Sequence, residues 1–266
     1  KINYMNLIRL KLFFNRFFNA LKIGNFFFGA RYLKIPKYIK IRGKKINLSL
    51  PDEYGVKITF AEIFLDDTYE LNWIKKFSKK KKIEIKSILD IGGNCGLTSL
   101  KLRSHFPNSI IHCYEPNLDL IKYLEPNSKN GNFKCFFEAI GNYSGKVKLN
   151  IENNESVLSS IEVDEKGDIN QISIEEAYKR FNLEYIDIVK MDCEGSEWEI
   201  LSNKEVFQKV KFITMEYHLG KNSLDHSRIK NVLEEIGFKL ISRIDYLSKA
   251  NYGIAVAYNE KLLFNI

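Results

Sequence analysis

The chain of 266 residues holds only four cysteines, five prolines and four histidines, and its first fifty positions contain no acid. Cys95, Cys113, Cys135 and Cys193 form no C-x-x-C pair and no metal-ligand spacing with His105, His112, His218 or His226, which argues against a zinc knuckle and a disulfide framework. Free thiols fit a reducing, cytoplasmic setting, and no cleavable signal sequence is expected. No apolar run approaches the ~20 residues a membrane-spanning helix requires. A chain that is 45% hydrophobic and 28% charged is therefore expected to spend its apolar content on a folded core.

The charge is unevenly placed. The first fifty residues carry twelve of the 41 basic residues, which leaves 29 basic against 33 acidic residues and a net of −4 over the remainder. A nucleic-acid enzyme usually carries its basic patch around the cleft. The acidic balance after residue 50, with no N-P-P-Y-like segment, thus predicts no nucleic-acid partner. The chain reads as a basic amphipathic extension over residues 1–50 and a folded domain over 51–266.

Within the extension, residues 1–22 place Leu7, Leu10, Phe13, Phe14, Phe17, Phe18 and Leu21 on one side of a helical wheel and Lys11, Asn15, Arg16, Asn19 and Lys22 on the other. Such a helix either lies on an anionic membrane surface or packs on its own domain or a partner. Phe26-Phe27-Phe28 extends the apolar content and favours a peripheral contact through residues 1–30, on the inner face of a membrane. Tyr38–Arg42, Lys45–Leu50 and Val56–Phe64 read as short strands, and Asp67 or Thr68 as the cap of a helix carrying Leu71, Ile74 and Phe77.

Ser87–Leu100 is the most informative early stretch. Ile88, Leu89 and Ile91 form the apolar run of a strand buried on both faces, and Gly92, Gly93 and Gly96 punctuate the turn into a helix. This loop is expected to present free backbone N–H groups to a ligand at a helix N-terminus. The dinucleotide spacing G-x-G-x-x-G fails, since Asn94 and Leu97 stand where its second and third glycines belong. What fits is D-x-G-x-N-x-G from Asp90, which resembles the first motif of class I S-adenosylmethionine-dependent methyltransferases.

Ser109–Pro116 reads as a second parallel strand ending at Glu115, an acid suited to both ribose hydroxyls of a nucleoside. A third strand, Phe133–Ile140, brings Glu138 and Ala139 towards the expected place of an adenine ring. Tyr185–Leu201 supplies a fourth strand, with Lys190 and Asp192 on one pleat face, Asp192 and Glu194 at the cleft, and a helix opened by Ser196. Val210–Leu219 forms a fifth, carrying Thr214, Glu216 and His218 on one face. Lys239–Ile244 and Tyr252–Tyr258 read as a closing antiparallel pair.

The run D-I-V-K-M-D-C-E-G-S-E-W-E-I-L closely resembles the signature of the FkbM methyltransferase family. The D-I-G-G-N-C-G-L-T, E-P and A-I-G-N-Y-S-G pieces follow that family's order over roughly residues 55–260. The resemblance implies a Rossmann-like α/β fold with a seven-stranded, mostly parallel sheet. It also implies S-adenosylmethionine as cofactor and methylation of a hydroxyl, often of a sugar in a glycan, glycolipid or related small molecule. Asp90, Gly92, Asn94, Gly96 and Glu115 match its cofactor positions; Lys190, Asp192, Glu194 and Glu197 match its signature; Tyr69 matches a tyrosine that lines the cofactor pocket.

Methylating an alcohol requires one general base. His218 qualifies by its ordinary pKa and Asp192 by its expected place beside the sulfonium. Lys190 with Asp192 also fits a local ion pair. Asp192, Glu194, Glu216 and His218 are of the type that holds a hard cation, but the spacing names no metal site. A catalytically silent, membrane-peripheral cofactor-binding module is the remaining alternative.

Overall fold

The computed structural model describes residues 4–24, 35–151, 159–164, 166–219, 225–245 and 251–264. Phe26-Phe27-Phe28 lies outside them. The chain opens with α1 (Tyr4–Lys22), the hairpin β1 (Tyr38–Ile41) and β2 (Lys44–Asn47), α2 (Tyr54–Phe60), a π-helical turn over Ala61–Asp66, and α3 (Leu71–Lys81). Next come β3 (Ser87–Ile91), α4 (Leu97–His105), β4 (Ile110–Tyr114), α5 (Ile121–Gly131), β5 (Lys134–Phe136) and β6 (Ala139–Gly141). They are followed by β7 (Gly145–Ile151), β8 (Ser159–Val163), β9 (Ile169–Ser173), α6 (Ile174–Lys179) and β10 (Ile186–Met191). The chain continues through α7 (Glu197–Leu201), α8 (Lys204–Phe207), β11 (Val210–His218), α9 (Ser227–Ile236), β12 (Phe238–Asp245), β13 (Tyr252–Asn259) and α10 (Glu260–Phe264).

Seven strands form one sheet in the order β12-β13-β11-β10-β3-β4-β5, with β13 alone running against the others. This is the seven-stranded Rossmann-like architecture that the sequence implies. Strand alternation divides the core into two layers. Ile88, Ile188, Phe212 and Val256 join the layer containing α3 and α4, whereas Leu89, Val189, Ile213 and Ala257 join the layer containing α6 to α9. Each buried aliphatic side chain contributes about 1.5–3 kcal/mol of transfer free energy, so covering both faces is the dominant organising force.

The strand order reverses between β3, which is followed outward by β4 and β5, and β10, which is followed on the other side by β11. A crevice opens at such a switch point, beyond the strand C-termini. The register sets Asp90 beside Lys190 and Lys190 beside Thr214, so three adjacent strands bring polar side chains together at this end, and of these Lys190 lines the crevice.

Two expected elements are corrected. Val56–Phe64 is helical, because Val56, Phe60, Ile63 and Phe64 recur at helical spacing and all four are buried against the domain. Phe133–Ile140 is not one strand. β5 pairs with β4, but the chain then leaves the main sheet and β6 pairs with β9 in a four-stranded sheet ordered β6-β9-β7-β8. The break places Glu138 and Ala139 over the crevice.

At the opposite end of the strands, Asp187 Oδ2 accepts from the backbone N–H groups of Lys86 and Ser87 at 2.6 and 3.0 Å, and Oδ1 from Lys211 Nζ at 2.6 Å. This carboxylate, 3% exposed, pins the entry of β3 to that of β10. Asp187→Ala leaves three donors without an acceptor and is expected to lower stability by about 3 kcal/mol. Urea unfolding should show it as a lower midpoint at unchanged slope.

Candidate active site

A cavity of about 420 Å³ lies at the strand C-termini, lined on one side by Gly92–Cys95, Leu97, Thr98, Tyr114–Pro116 and Glu138–Ile140, and on the other by Glu62, Tyr69, Lys190, Asp192, Glu194, Glu216 and His218. Its volume is that of a small-molecule site. The glycine loop fits between two neighbouring strands at close range. A Cβ on Gly92, whose φ is +73°, would lie 1.7 Å from the Asp192 carbonyl oxygen, and one on Gly93 would lie 2.1 Å from Cys113 Sγ. Only glycine permits that approach.

The loop's N–H groups are not free, which corrects the expectation from the sequence. Gly92 and Gly93 both donate to the Tyr114 carbonyl at 3.0 Å, Asn94 donates to Glu115 Oε2 at 2.7 Å, Cys95 to Asn94 Oδ1 at 2.8 Å, and Gly96 to the Gly93 carbonyl at 2.8 Å. These bonds make the loop a rigid wall. Glu115 Oε1 accepts from Asn117 N–H at 2.8 Å, so each carboxylate oxygen has one backbone partner and retains a second lone pair. Burial pushes the Glu115 carboxyl up to about 7 against the pull of these two N–H groups. Glu138 lines the cavity, but its carboxylate pairs with Arg180.

The opposite wall is organised by Lys190, whose ammonium is 1% exposed. Its Nζ donates to the Gly92 carbonyl at 2.8 Å and stands 3.6 Å from Asp90 Oδ1 and 3.5 Å from Asp192 Oδ2. Burial opposes its charge, but the Asp192 and Asp90 carboxylates outweigh burial and hold it above the ordinary lysine range. The Asp90 carboxyl is itself pushed up by burial, with Lys190 and the Ser99 hydroxyl pulling the other way. Asp192 Oδ2 also accepts from Tyr69 Oη–H at 2.8 Å, and the Tyr69 carbonyl accepts from Thr214 Oγ1 at 2.8 Å. Asp192 is thus held by two donors from different elements.

Beyond Asp192 the backbone turns through Glu194 and Gly195, at φ +52° and +113°, and delivers Glu197 into the first turn of α7. Glu197 Oε1 accepts from the N–H groups of Cys193 and Gly195 at 3.2 and 3.0 Å and from His218 Nδ1 at 3.1 Å. His218 Nε2 stands 3.3 Å from both Glu194 Oε2 and Glu216 Oε1. Burial would lower the imidazole pKa, but hydrogen bonds to Glu197 and Glu216 and the charge of Glu194 raise it to about 11. A pKa raised this far favours the imidazolium, which argues against His218 as the free base its ordinary pKa suggests. Burial, then the Asp192 charge, lift Glu194 to about 8 and Glu216 to about 7, with His218 opposing both.

The methyltransferase FkbM domain family matches residues 77–240, more than half of the chain. The chain belongs to the FkbM methyltransferase family. No curated protein matches it significantly. Among solved structures, the METTL16 methyltransferase domain is 12% identical over 80% of this chain and 73% of that one, with a TM-score of 0.48. A Methanococcus jannaschii fibrillarin pre-rRNA processing protein is 14% identical over 66% and 67%, at 0.43. The Geobacter metallireducens precorrin-6y C5,15-methyltransferase is 14% identical over 70% and 87%, at 0.38.

This FkbM methyltransferase uses S-adenosylmethionine, and the cavity's donors and acceptors suit that molecule. Glu115 keeps lone pairs for ribose hydroxyls, Leu97, Ile140 and Leu149 offer an apolar wall for a purine, and the Asp192 side supplies negative charge for a sulfonium. Gly92, Asn94, Glu115, Glu138, Ala139, Tyr69, Lys190, Asp192, Glu194, Glu216 and His218 all line the cavity. Asp90 and Gly96 do not. Asp90 lies fully buried behind the wall, where its Oδ2 accepts from Ser99 Oγ at 2.6 Å, and Gly96 packs against Phe133 and Leu124. Sequence reasoning missed Glu62 and Tyr252, which also line the cavity. Glu62 was hidden because its segment reads as a strand; the helical spacing of Val56, Phe60 and Ile63 is the signal that finds it.

Glu115→Ala should weaken S-adenosylhomocysteine binding by roughly 10–100-fold while the melting profile shows a folded protein, since the bonds lost are to a charged group. Titration calorimetry checks this, and affinity within twofold of the unaltered protein would remove Glu115 from the cofactor site.

Proposed function

We propose that the chain is an O-methyltransferase whose acceptor is a hydroxyl of a sugar in a polysaccharide, glycolipid or related small molecule. The observation that carries this reading is the carboxyl-rich end of the cavity, where Glu62, Asp192, Glu194 and Glu216 line the wall and Glu194 and Glu216 each stand 3.3 Å from His218 Nε2. Carboxylates accept hydrogen bonds from several hydroxyls at once, as polyol recognition requires. As Glu216 and Glu194 ionise, the same groups oppose a phosphate backbone, which weighs against a nucleic-acid acceptor.

Bound S-adenosylmethionine supplies an electrophilic methyl group carried on a sulfonium. Asp192, fixed by Tyr69 and Lys190, contributes negative charge on that side of the cavity and orients an acceptor hydroxyl. Glu216 is assigned as general base. Its carboxyl ionises near neutrality and faces the cavity, whereas Asp192 Oδ2 is already held by two donors. His218, locked by Glu197, keeps Glu216 and Glu194 in place and stays protonated while the base changes charge.

The pH dependence follows from the sign of that ionisation. Below about 7 Glu216 holds a proton and accepts none, so kcat/KM should fall as pH drops through that value; Glu216→Gln should abolish this limb and lower kcat by roughly 10²–10⁴-fold. An unchanged acid limb in the variant would reassign the base. The acceptor itself is tested by incubating the protein with labelled S-adenosylmethionine and separate glycan, lipid and RNA fractions. Label is expected in the glycan or glycolipid fraction, and label confined to RNA would overturn the reading.

A further inference from the structure

We infer that the outer edge of α1, with the neighbouring β1–β2 hairpin, is a docking face for an anionic lipid surface. The helix packs on the domain through its polar edge. Arg16 makes two parallel bonds to Asp66, Nε to Oδ1 at 2.6 Å and Nη2 to Oδ2 at 2.5 Å, and Asn19 Nδ2 donates to the Leu65 carbonyl at 2.8 Å. Ala20 and Ile23 are buried on the same side. Phe13, Phe14, Phe18 and Leu21 are consequently turned outward and lie between 37% and 55% exposed. A surface helix normally shows the reverse arrangement.

Two further apolar side chains are exposed close in sequence to the turn that receives α1, and the helix has a charged border. Tyr54 and Ile58 on α2 are 52% and 43% exposed, and Ile58 lines the cavity. The π-helical turn that receives Arg16 and Asn19 also carries Glu62 into the cavity wall. At the end of α1, Lys40 N–H donates to the Ile23 carbonyl at 2.8 Å, which joins the helix to a hairpin with Lys40, Arg42, Lys44 and Lys45 all exposed. Lys22 is exposed beside them.

Charge selects the occupant. Aromatic and leucine side chains bordered by lysine and arginine are the combination that inserts at the headgroup boundary while meeting anionic headgroups. Lys22, Lys40, Arg42, Lys44 and Lys45 at this border oppose a second copy on the face, because a two-fold contact would set like charge against like.

The test uses the full chain in sedimentation with vesicles of phosphatidylglycerol and phosphatidylcholine in equal parts, against phosphatidylcholine alone. The protein should sediment with the anionic vesicles only, less at raised salt. Phe13→Ser, Phe14→Ser and Phe18→Ser combined should reduce the bound fraction constant roughly tenfold or more. Unchanged S-adenosylhomocysteine affinity shows that this variant keeps its fold. The inference is overturned if the unaltered chain remains in the supernatant, or if the triple variant binds as well as it does. Ultracentrifugation showing a dimer that the triple variant reduces to a monomer assigns the face to a second copy and equally overturns it.

Discussion

A single buried ammonium holds the two halves of the site in register. Lys190 lies on β10 beside Asp90 of β3, and its Nζ reaches the carbonyl that ends the β3 strand, the carboxylate behind it and the carboxylate beyond its own strand. A lysine charge survives at this depth only because acceptors surround it. The same bonds that stabilise the charge fix the glycine loop on one wall and Asp192 on the other. Two walls of one cavity are thereby tied to one side chain.

The chemistry of the cavity follows from how its charges are distributed about that point. Glu115, with backbone N–H groups on both oxygens, lies on the wall formed by the glycine loop, the side on which the cofactor is proposed to bind. On the opposite wall Glu197, buried and bonded by two loop N–H groups, fixes the His218 imidazole between the carboxyls of Glu194 and Glu216. Here the left-handed turn at Glu194 and Gly195 has a purpose, since it aims those N–H groups at Glu197. Burial and then the Asp192 charge bring the ionisation of Glu216 and Glu194 close to neutral pH, the condition in which a carboxyl exchanges a proton at physiological pH.

Much of this was legible in the sequence, for identifiable reasons. β3, β4, β10 and β11 are buried on both faces, so their apolar runs stand out, and the acids and glycines that follow mark the crevice. Val56–Phe64 misled because β-branched residues occupy a helix whose packing on the domain overrides their propensity. The β5–β6 break is set by pairing with β9, some thirty residues further along the chain, which no local pattern announces. The protonation of His218 depends on three carboxylates gathered from β11, α7 and the loop before it, so its ordinary pKa pointed the wrong way. For α1 the amphipathic pattern was visible, but the bidentate Arg16–Asp66 contact that turns its aromatic edge outward is a tertiary choice.

The organising role of Lys190 is most directly tested by S-adenosylhomocysteine calorimetry on the double variant Lys190→Met, Asp90→Asn. Removing both charges avoids an unpaired buried carboxylate, so the sheet should fold. Without the ammonium, the Gly92 carbonyl and Asp192 lose their shared donor, and the affinity is expected to fall at least about tenfold. A folded double variant that binds S-adenosylhomocysteine as tightly as the unaltered chain would contradict the role assigned to this lysine.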